Sequence, residues 1–118
     1  MNLTLFIFAA ALGGFIRFFL EYYLPPVGAS AFPRATMLVN VAGAFMLGIV
    51  MALPGQWQVI LGIGFCGALT TFSGVSLQLH RRLSSQAFRP AMIYAVTLIS
   101  AGVTAAGIGI ILGRFLFN

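Results

Sequence analysis

From Gly62 to Ser76 the chain reads Gly-Ile-Gly-Phe-Cys-Gly-Ala-Leu-Thr-Thr-Phe-Ser-Gly-Val-Ser. Glycines at 62, 64 and 67 run into the cluster Thr70-Thr71-Phe72-Ser73-Gly74 inside an otherwise apolar stretch. Glycine and threonine are poor helix formers, and hydroxyl side chains compete for backbone hydrogen bonds. The pattern predicts a helix that breaks near residues 70–74. Within a membrane, backbone that leaves a helix is tolerated only where protein buries it or where it lines a watery cavity. The chemistry open to such a break is cation binding, because freed carbonyl oxygens suit a hard cation. The plainer alternative is a glycine-softened helix that packs closely on a neighbour.

Other reactive groups are scarce. The chain holds one acid, Glu21, one histidine, His80, and one cysteine, Cys66. No Ser-His-acid set, metal-ligand cluster or phosphate loop can be assembled from these, so enzymatic activity has no support. Cys66 permits no intrachain disulfide and reads as a small buried apolar residue. The net charge of +5 comes from six arginines that flank apolar segments. That placement suits lipid headgroups and membrane topology rather than nucleic acid, for which a basic stripe with interleaved aromatics would be needed.

The elements that must hold the glycine and hydroxyl cluster follow from composition. With 61% hydrophobic and 6% charged residues among 118, the chain cannot form a soluble globule of this size. Four apolar runs are separated by turn signals: about 3–23, ending at Pro25-Pro26; 36–53, closed by Pro54-Gly55; 57–79, broken near 70–74 and followed by His80-Arg81-Arg82; and 91–115, after Arg89-Pro90. The expected fold is a single all-α integral membrane domain of four transmembrane helices, with the third broken. The first run lacks a basic n-region and a small-residue cleavage site and is not read as a removable signal. Trp57, Tyr22 and Tyr23 read as interface anchors, His80 as a wet helix end, and Gly109 with Gly113 as a close helix contact.

Gly64-Phe65-Cys66-Gly67-Ala68-Leu69-Thr70-Thr71-Phe72-Ser73 closely resembles the GxxGGxTTFS signature of the CrcB/Fluc fluoride channels. Gly13-Gly14-Phe15-Ile16-Arg17-Phe18 is similar to that family's first-helix pattern, and the stretch from Phe32 to Phe45, with Arg34, Thr36 and Asn40, to its second-helix pattern. The three motifs fall in family order across essentially the whole chain. The resemblance implies an antiparallel dimer of four-helix subunits in the plasma (cell inner) membrane, passing fluoride passively outward and lowering its cytoplasmic level. It implies a structural Na+ at the dimer axis, held by the backbone carbonyls of Gly67 and Thr70. It further implies that Phe72 is the first pore phenylalanine, Asn40 the pore asparagine, Thr36 and Ser73 polar pore-side groups, and Arg17 the vestibule arginine. Fluoride is strongly hydrated, so donors such as the Asn40 amide and the Thr71 and Ser73 hydroxyls must replace lost water. A ring edge carries partial positive charge, which lets Phe72 approach an anion. Ser100 and Thr104 share a face at i,i+4 and extend this polar track, unless they only bond back to their own helix.

Two departures bear on assembly. Val75 stands where the family pattern has its second pore phenylalanine, and Gly74 replaces a small hydroxyl residue. The resemblance implies that each pore takes one phenylalanine from each subunit, so a homodimer would lack half of each aromatic pair. The side holding the loops after the first and third helices carries Arg34, Arg81, Arg82 and Arg89, and the other only Arg114. An excess of three favours one orientation with both termini outside. The expected assembly is a homodimer by family default, or a heterodimer with an oppositely inserted related subunit. Two other readings remain: a four-helix proton-coupled multidrug or cation exporter, which would need a membrane-embedded carboxylate, and a noncatalytic assembly subunit, which leaves the break in helix three without a purpose.

Overall fold

A computed structural model of the chain describes residues 2–25 and 32–117. Every regular element among them is helical. Helix α1 is Leu3–Tyr23, and its first turn is capped by Asn2, whose Oδ1 accepts the N–H groups of Thr4 at 3.1 Å and Leu5 at 3.4 Å. These are donors that have no partner within a helix. Pro25 follows the helix by two residues, and Pro26 lies outside the described residues. Helix α2 is Arg34–Val50. It closes three residues before the expected end at residue 53, because Ala52 and Leu53 turn tightly onto the carbonyls of Ile49 and Val50 ahead of Pro54. A residue that precedes proline is pushed out of the α conformation.

Helix α3, residues 55–69, is wound unevenly. Gly55–Trp57 is α-helical, Gln58–Cys66 is π-helical, and Gly67–Leu69 returns to α. Helix α4 is Phe72–Ser84 and α5 is Phe88–Phe117. Pro90 thus sits inside the first turn of α5 instead of marking its start. There its missing N–H forfeits no intrahelical bond.

Packing is organised in pairs, α2 along α5 and α1 along α3. Close backbone approach makes both possible. A Cβ on Gly109 would collide with the carbonyl oxygen of Phe45, and one on Gly113 would lie 2.7 Å from that of Ile49. In lipid, where apolar burial does not drive helices together, such small-residue contacts are the main way they associate. The outward faces carry large apolar side chains: Phe8 is 68% exposed, Phe18 66% and Phe115 83%. Three helical stretches are long and apolar enough to cross a bilayer, Leu3–Tyr23, Gly55–Ser84 and Phe88–Phe117, and Arg34–Val50 is a shorter apolar helix. The chain is a multi-pass membrane protein. Tyr22, Tyr23 and Trp57 are exposed at helix ends.

Helix α4 runs a full turn beyond the expected limit, through the basic residues to Ser84. Arg82, expected at the headgroups, is turned toward α5 by this extension and is 2% exposed. Its Nη1 donates to Gln78 O at 2.9 Å and Gln78 Oε1 at 3.3 Å, and the guanidinium lies 5.2 Å from the Tyr94 ring centre. The helix ends in a Schellman arrangement, with Ala87 N–H on Arg82 O at 2.8 Å and Gln86 N–H on Leu83 O at 3.0 Å. Gln86 takes the left-handed position at φ 58°, which glycine occupies more easily. Gln86→Gly is expected to stabilise the folded chain by about 1 kcal/mol, read as a higher thermal midpoint in detergent.

Candidate functional site

The third apolar run leaves the helix for two residues only. Thr70 (φ −76°, ψ 157°) and Thr71 (φ −146°, ψ 123°) are extended, the conformation that β-branched side chains accept readily. Phe72, Ser73 and Gly74, expected within the break, already form the first turn of α4. The reason is that Thr71 caps it: Thr71 Oγ1 accepts Gly74 N–H at 3.0 Å and lies 3.1 Å from Ser73 Oγ. On the other side of the break, the Thr70 N–H and hydroxyl both bond to Cys66 O, at 3.0 and 2.9 Å.

A side chain of α2 substitutes for the missing helical acceptor. In a continuous helix Thr71 N–H would meet Gly67 O, but here it bonds to Asn40 Oδ1 at 3.1 Å. Asn40 Nδ2 in turn donates to Thr36 O at 2.7 Å. These two bonds fix the amide with its oxygen on the break and leave one Nδ2 proton for a ligand. Whichever of Thr71 and Ser73 donates in their mutual bond, the other keeps its hydroxyl proton. From α1, Arg17 Nη1 donates to Thr70 O at 3.2 Å. Arg17, Thr36, Asn40, Thr70, Thr71 and Ser73 therefore meet at one joint. Thr36 and Thr71 are 5% and 9% exposed.

Two grooves flank the joint. One, of about 420 Å³, is lined by Asn40, Thr70, Thr71, Phe72 and Val75, and by Leu98, Ile99 and Gly102 of α5. Phe72 is 84% exposed beside it. Its hydrogen-bonding groups lie in the joint, and the α5 wall is apolar. The other, of about 300 Å³, is lined by Asn40, Gly43, Gly67 and Thr70 among others. Ser100 and Thr104 are not brought to the joint. Both are exposed, neither lines either groove, and Ser100 Oγ donates to Val96 O at 2.7 Å. They stand two positions from Leu98 and Gly102, which is about 200° round a helix.

The oxygens of Gly67 and Thr70 fit a hard cation in kind, since Gly67 O has lost its α-helical donor and both residues line one groove. Thr70 O already accepts the Arg17 guanidinium, so a cation there would share it with another positive group. Two features escaped the sequence reading. The π winding is marked by Gly67 N–H reaching Gly62 O, five residues back, as well as Gly64 O, and the dense glycines were its only signal. The Gln78, Arg82 and Tyr94 cluster left no signal beyond residue type.

Residues 4–110 match the profile of a family described as CrcB-like protein, Camphor Resistance (CrcB). The chain is 37% identical over 111 residues to Fluoride-specific ion channel FluC 1 of Leifsonia xyli subsp. xyli, a match covering 89% of this chain and 81% of that protein. It is 35% identical to Fluoride-specific ion channel FluC of Citrifermentans bemidjiense, over 90% of this chain and 91% of that protein. With Fluoride-specific ion channel FluC 1 of Listeria innocua serovar 6a the identity is 34%, over 96% and 98% of the two chains.

Proposed function

Because the chain belongs to the CrcB-like family, we propose that it is one subunit of a fluoride-selective passive channel that lets fluoride leave the cytoplasm across the plasma (cell inner) membrane. It is a channel component and not an enzyme. The observation that carries the reading is the joint at Thr70 and Thr71, where unwound backbone is held by Asn40 and Arg17 beside an open groove. An anion stripped of water needs donors, and the joint offers an amide proton and a hydroxyl proton next to an exposed phenylalanine edge. Neutral donors bind the ion without holding it, which suits fast passage.

In this proposal α2 spans together with the three longer stretches, giving four crossings, and two subunits pack antiparallel. Thr36, Asn40, Thr71, Phe72 and Ser73 line the pathway, and Arg17 steadies the joint at its vestibule side. Ser100 and Thr104 reach the pathway through the subunit that packs on their exposed face. A structural Na+ lies between subunits on the Gly67 and Thr70 oxygens, four in all, and lends the interface a fixed centre. Val75 and the arginine excess favour a related, oppositely inserted partner. Glu21, the residue on which proton-coupled export would depend, is exposed near the end of α1.

The test is fluoride efflux from liposomes, followed with a fluoride electrode and compared with chloride, for the chain with and without a candidate partner. Fluoride flux with chloride excluded supports the reading, and equal passage of both ions overturns it. Phe72→Ile keeps bulk and removes the ring edge. It is expected to cut fluoride flux about tenfold, the equivalent of about 1.4 kcal/mol, without dissociating the protein in size-exclusion chromatography. Unchanged flux removes Phe72 from the pathway.

A further inference from the structure

Helix α4 carries Phe72 and Val75, and it is held at its two ends. At its start is the joint, where Thr71 N–H meets Asn40 and Thr71 Oγ1 caps Gly74. At its far end residues 85–87 join it to α5. Between them lies the groove of about 420 Å³, with Phe72, Val75 and Leu79 on one wall and Ala95, Leu98, Ile99 and Gly102 on the other. A short connection brings two helices together, and the side chains packed between them set their angle. Here those side chains are charged and aromatic. Arg82 Nη1 donates to Gln78 O at 2.9 Å and to Gln78 Oε1 at 3.3 Å, and the guanidinium lies 5.2 Å from the Tyr94 ring centre. All three residues are buried. Phe32, which leads into α2, packs edge-on to the Tyr94 ring at 5.9 Å. The Tyr94 hydroxyl is buried without a hydrogen-bond partner among the described residues, so the ring is the part of Tyr94 that is engaged. Gln78 and Tyr94 are chain neighbours of the lining residues Leu79 and Ala95, which puts the cluster at the closed end of the groove.

We propose that Arg82, Gln78 and Tyr94 form a clamp that sets the angle between α4 and α5, and through it the width of the groove beside Phe72. The inference rests on the channel reading above and deepens it by naming what keeps the groove narrow. None of the three lines the groove, so they are positioning residues that act through Phe72 and Val75. Val75, Leu79 and Arg82 follow one another at four and three residues and share one face of α4, so a swing of α4 about the clamp moves the groove wall with it. A cation has a preferred place over a ring face, and two bonds to Gln78 keep the guanidinium on its own helix. Apolar contact has no such direction and would let the helices slide. Burying a charge where packing alone would serve is costly, and the fixed arrangement it secures is what offsets that cost.

The experiment reads selectivity and angle separately. Arg82→Met gives up the charge and keeps a long side chain, a replacement that buried sites tolerate. In liposomes it is expected to lower the ratio of fluoride to chloride efflux about tenfold, mainly through faster chloride loss. Tyr94→Leu should do the same, and Tyr94→Phe, which keeps the ring, should hold the ratio within about twofold of native. Arg82→Met combined with Tyr94→Leu should fall no further than either alone, as two halves of one contact require. Cys66 is the only native thiol. In a Cys66→Ala background, nitroxides at Ser76→Cys on α4 and Val103→Cys on α5, both exposed, report the distance between the helices by pulsed electron paramagnetic resonance. Labelled chains are diluted in unlabelled ones so that pairs within a subunit dominate. Arg82→Met and Tyr94→Leu should broaden that distance, and Tyr94→Phe should leave it narrow. A ratio unmoved by Arg82→Met, a Tyr94→Phe that matches Tyr94→Leu, effects that multiply in the double variant, or a distance that stays narrow throughout overturns the inference. Native protein that passes no fluoride, with or without a partner, overturns the channel reading instead, and the nitroxide distance then still decides whether the clamp sets the helix angle.

Discussion

Replacing Asn40 by leucine is expected to lower fluoride flux about a hundredfold in a protein that still folds. Leucine has nearly the shape of asparagine, so packing between α2 and the break changes little. Three hydrogen-bonding roles disappear together. Thr71 N–H loses its acceptor at 3.1 Å, the donor to Thr36 O at 2.7 Å is gone, and so is the second amide proton, the one proposed to meet the ion. Thr71 is 9% exposed, and a buried N–H left without a partner costs about 1–3 kcal/mol. Removing one preorganised donor from a dehydrated ion adds about 2.7 kcal/mol to the barrier. Asn40→Asp separates the two contributions. It keeps an acceptor for Thr71 N–H but sets a carboxylate oxygen against Thr36 O where the amide had donated, so the thermal midpoint recovers only in part, and the negative charge in the anion's path leaves flux low. Efflux and detergent melting of both variants read this out. Native flux from Asn40→Leu would remove the amide from the ion pathway.

The same residues show what a linear sequence reveals and what it hides. The break was legible because Thr70, Thr71 and the glycines disfavour a helix locally, and local preference survives folding. Its length was not. That Ser73 and Gly74 rejoin the helix depends on the Thr71 hydroxyl finding Gly74 N–H, a choice between capping and unwinding that composition does not decide. The helix limits erred for a related reason. Hydropathy follows the lipid, so it stopped at His80, whereas the hydrogen-bond ladder of α4 continues to Ser84 and ends in its own closure. The outward turn of Ser100 and Thr104 was beyond reach from spacing, which fixes that they share a face but not which face it is. Arg82 carries the same lesson. A charge count places it at the headgroups, and only the rotation of α4 against α5 puts its guanidinium over Tyr94.

Arg17 joins two considerations that sequence kept apart. A guanidinium on Thr70 O neutralises a backbone oxygen exposed by the break, and so holds α1 against the joint. It also brings positive charge to the oxygen proposed for Na+. A cation and an arginine sharing one carbonyl repel, so the joint is stiff only if further oxygens spread the charge. In the proposed dimer a second subunit would supply them. The proposed Na+ site would thus give the break a reason to pair that is separate from any aromatic contact, and the aromatic side of the assembly question turns on the groove beside Phe72.

Val75→Phe is expected to raise fluoride efflux from this chain reconstituted alone, by about tenfold. Val75 lies three residues after Phe72 on α4, a spacing that puts both on one face, and both line the groove of about 420 Å³. The groove's opposite wall is Leu98, Ile99 and Gly102, which offers an anion nothing. A second ring would give a passing ion another positive edge, worth about 0.5–1.5 kcal/mol by analogy with aromatic pairs, and Gly102 leaves it space. If native flux requires a partner that brings its own phenylalanine, the substitution supplies in a homodimer what the partner supplies in a heterodimer. The partner's benefit should then shrink when it is mixed with the Val75→Phe chain. A fall in flux would instead mean that the ring plugs the groove, which places the pore there but makes valine the fitted residue. Unchanged flux from a native homodimer that already conducts fully would remove Val75 from the case for a partner, leaving the arginine bias to stand alone.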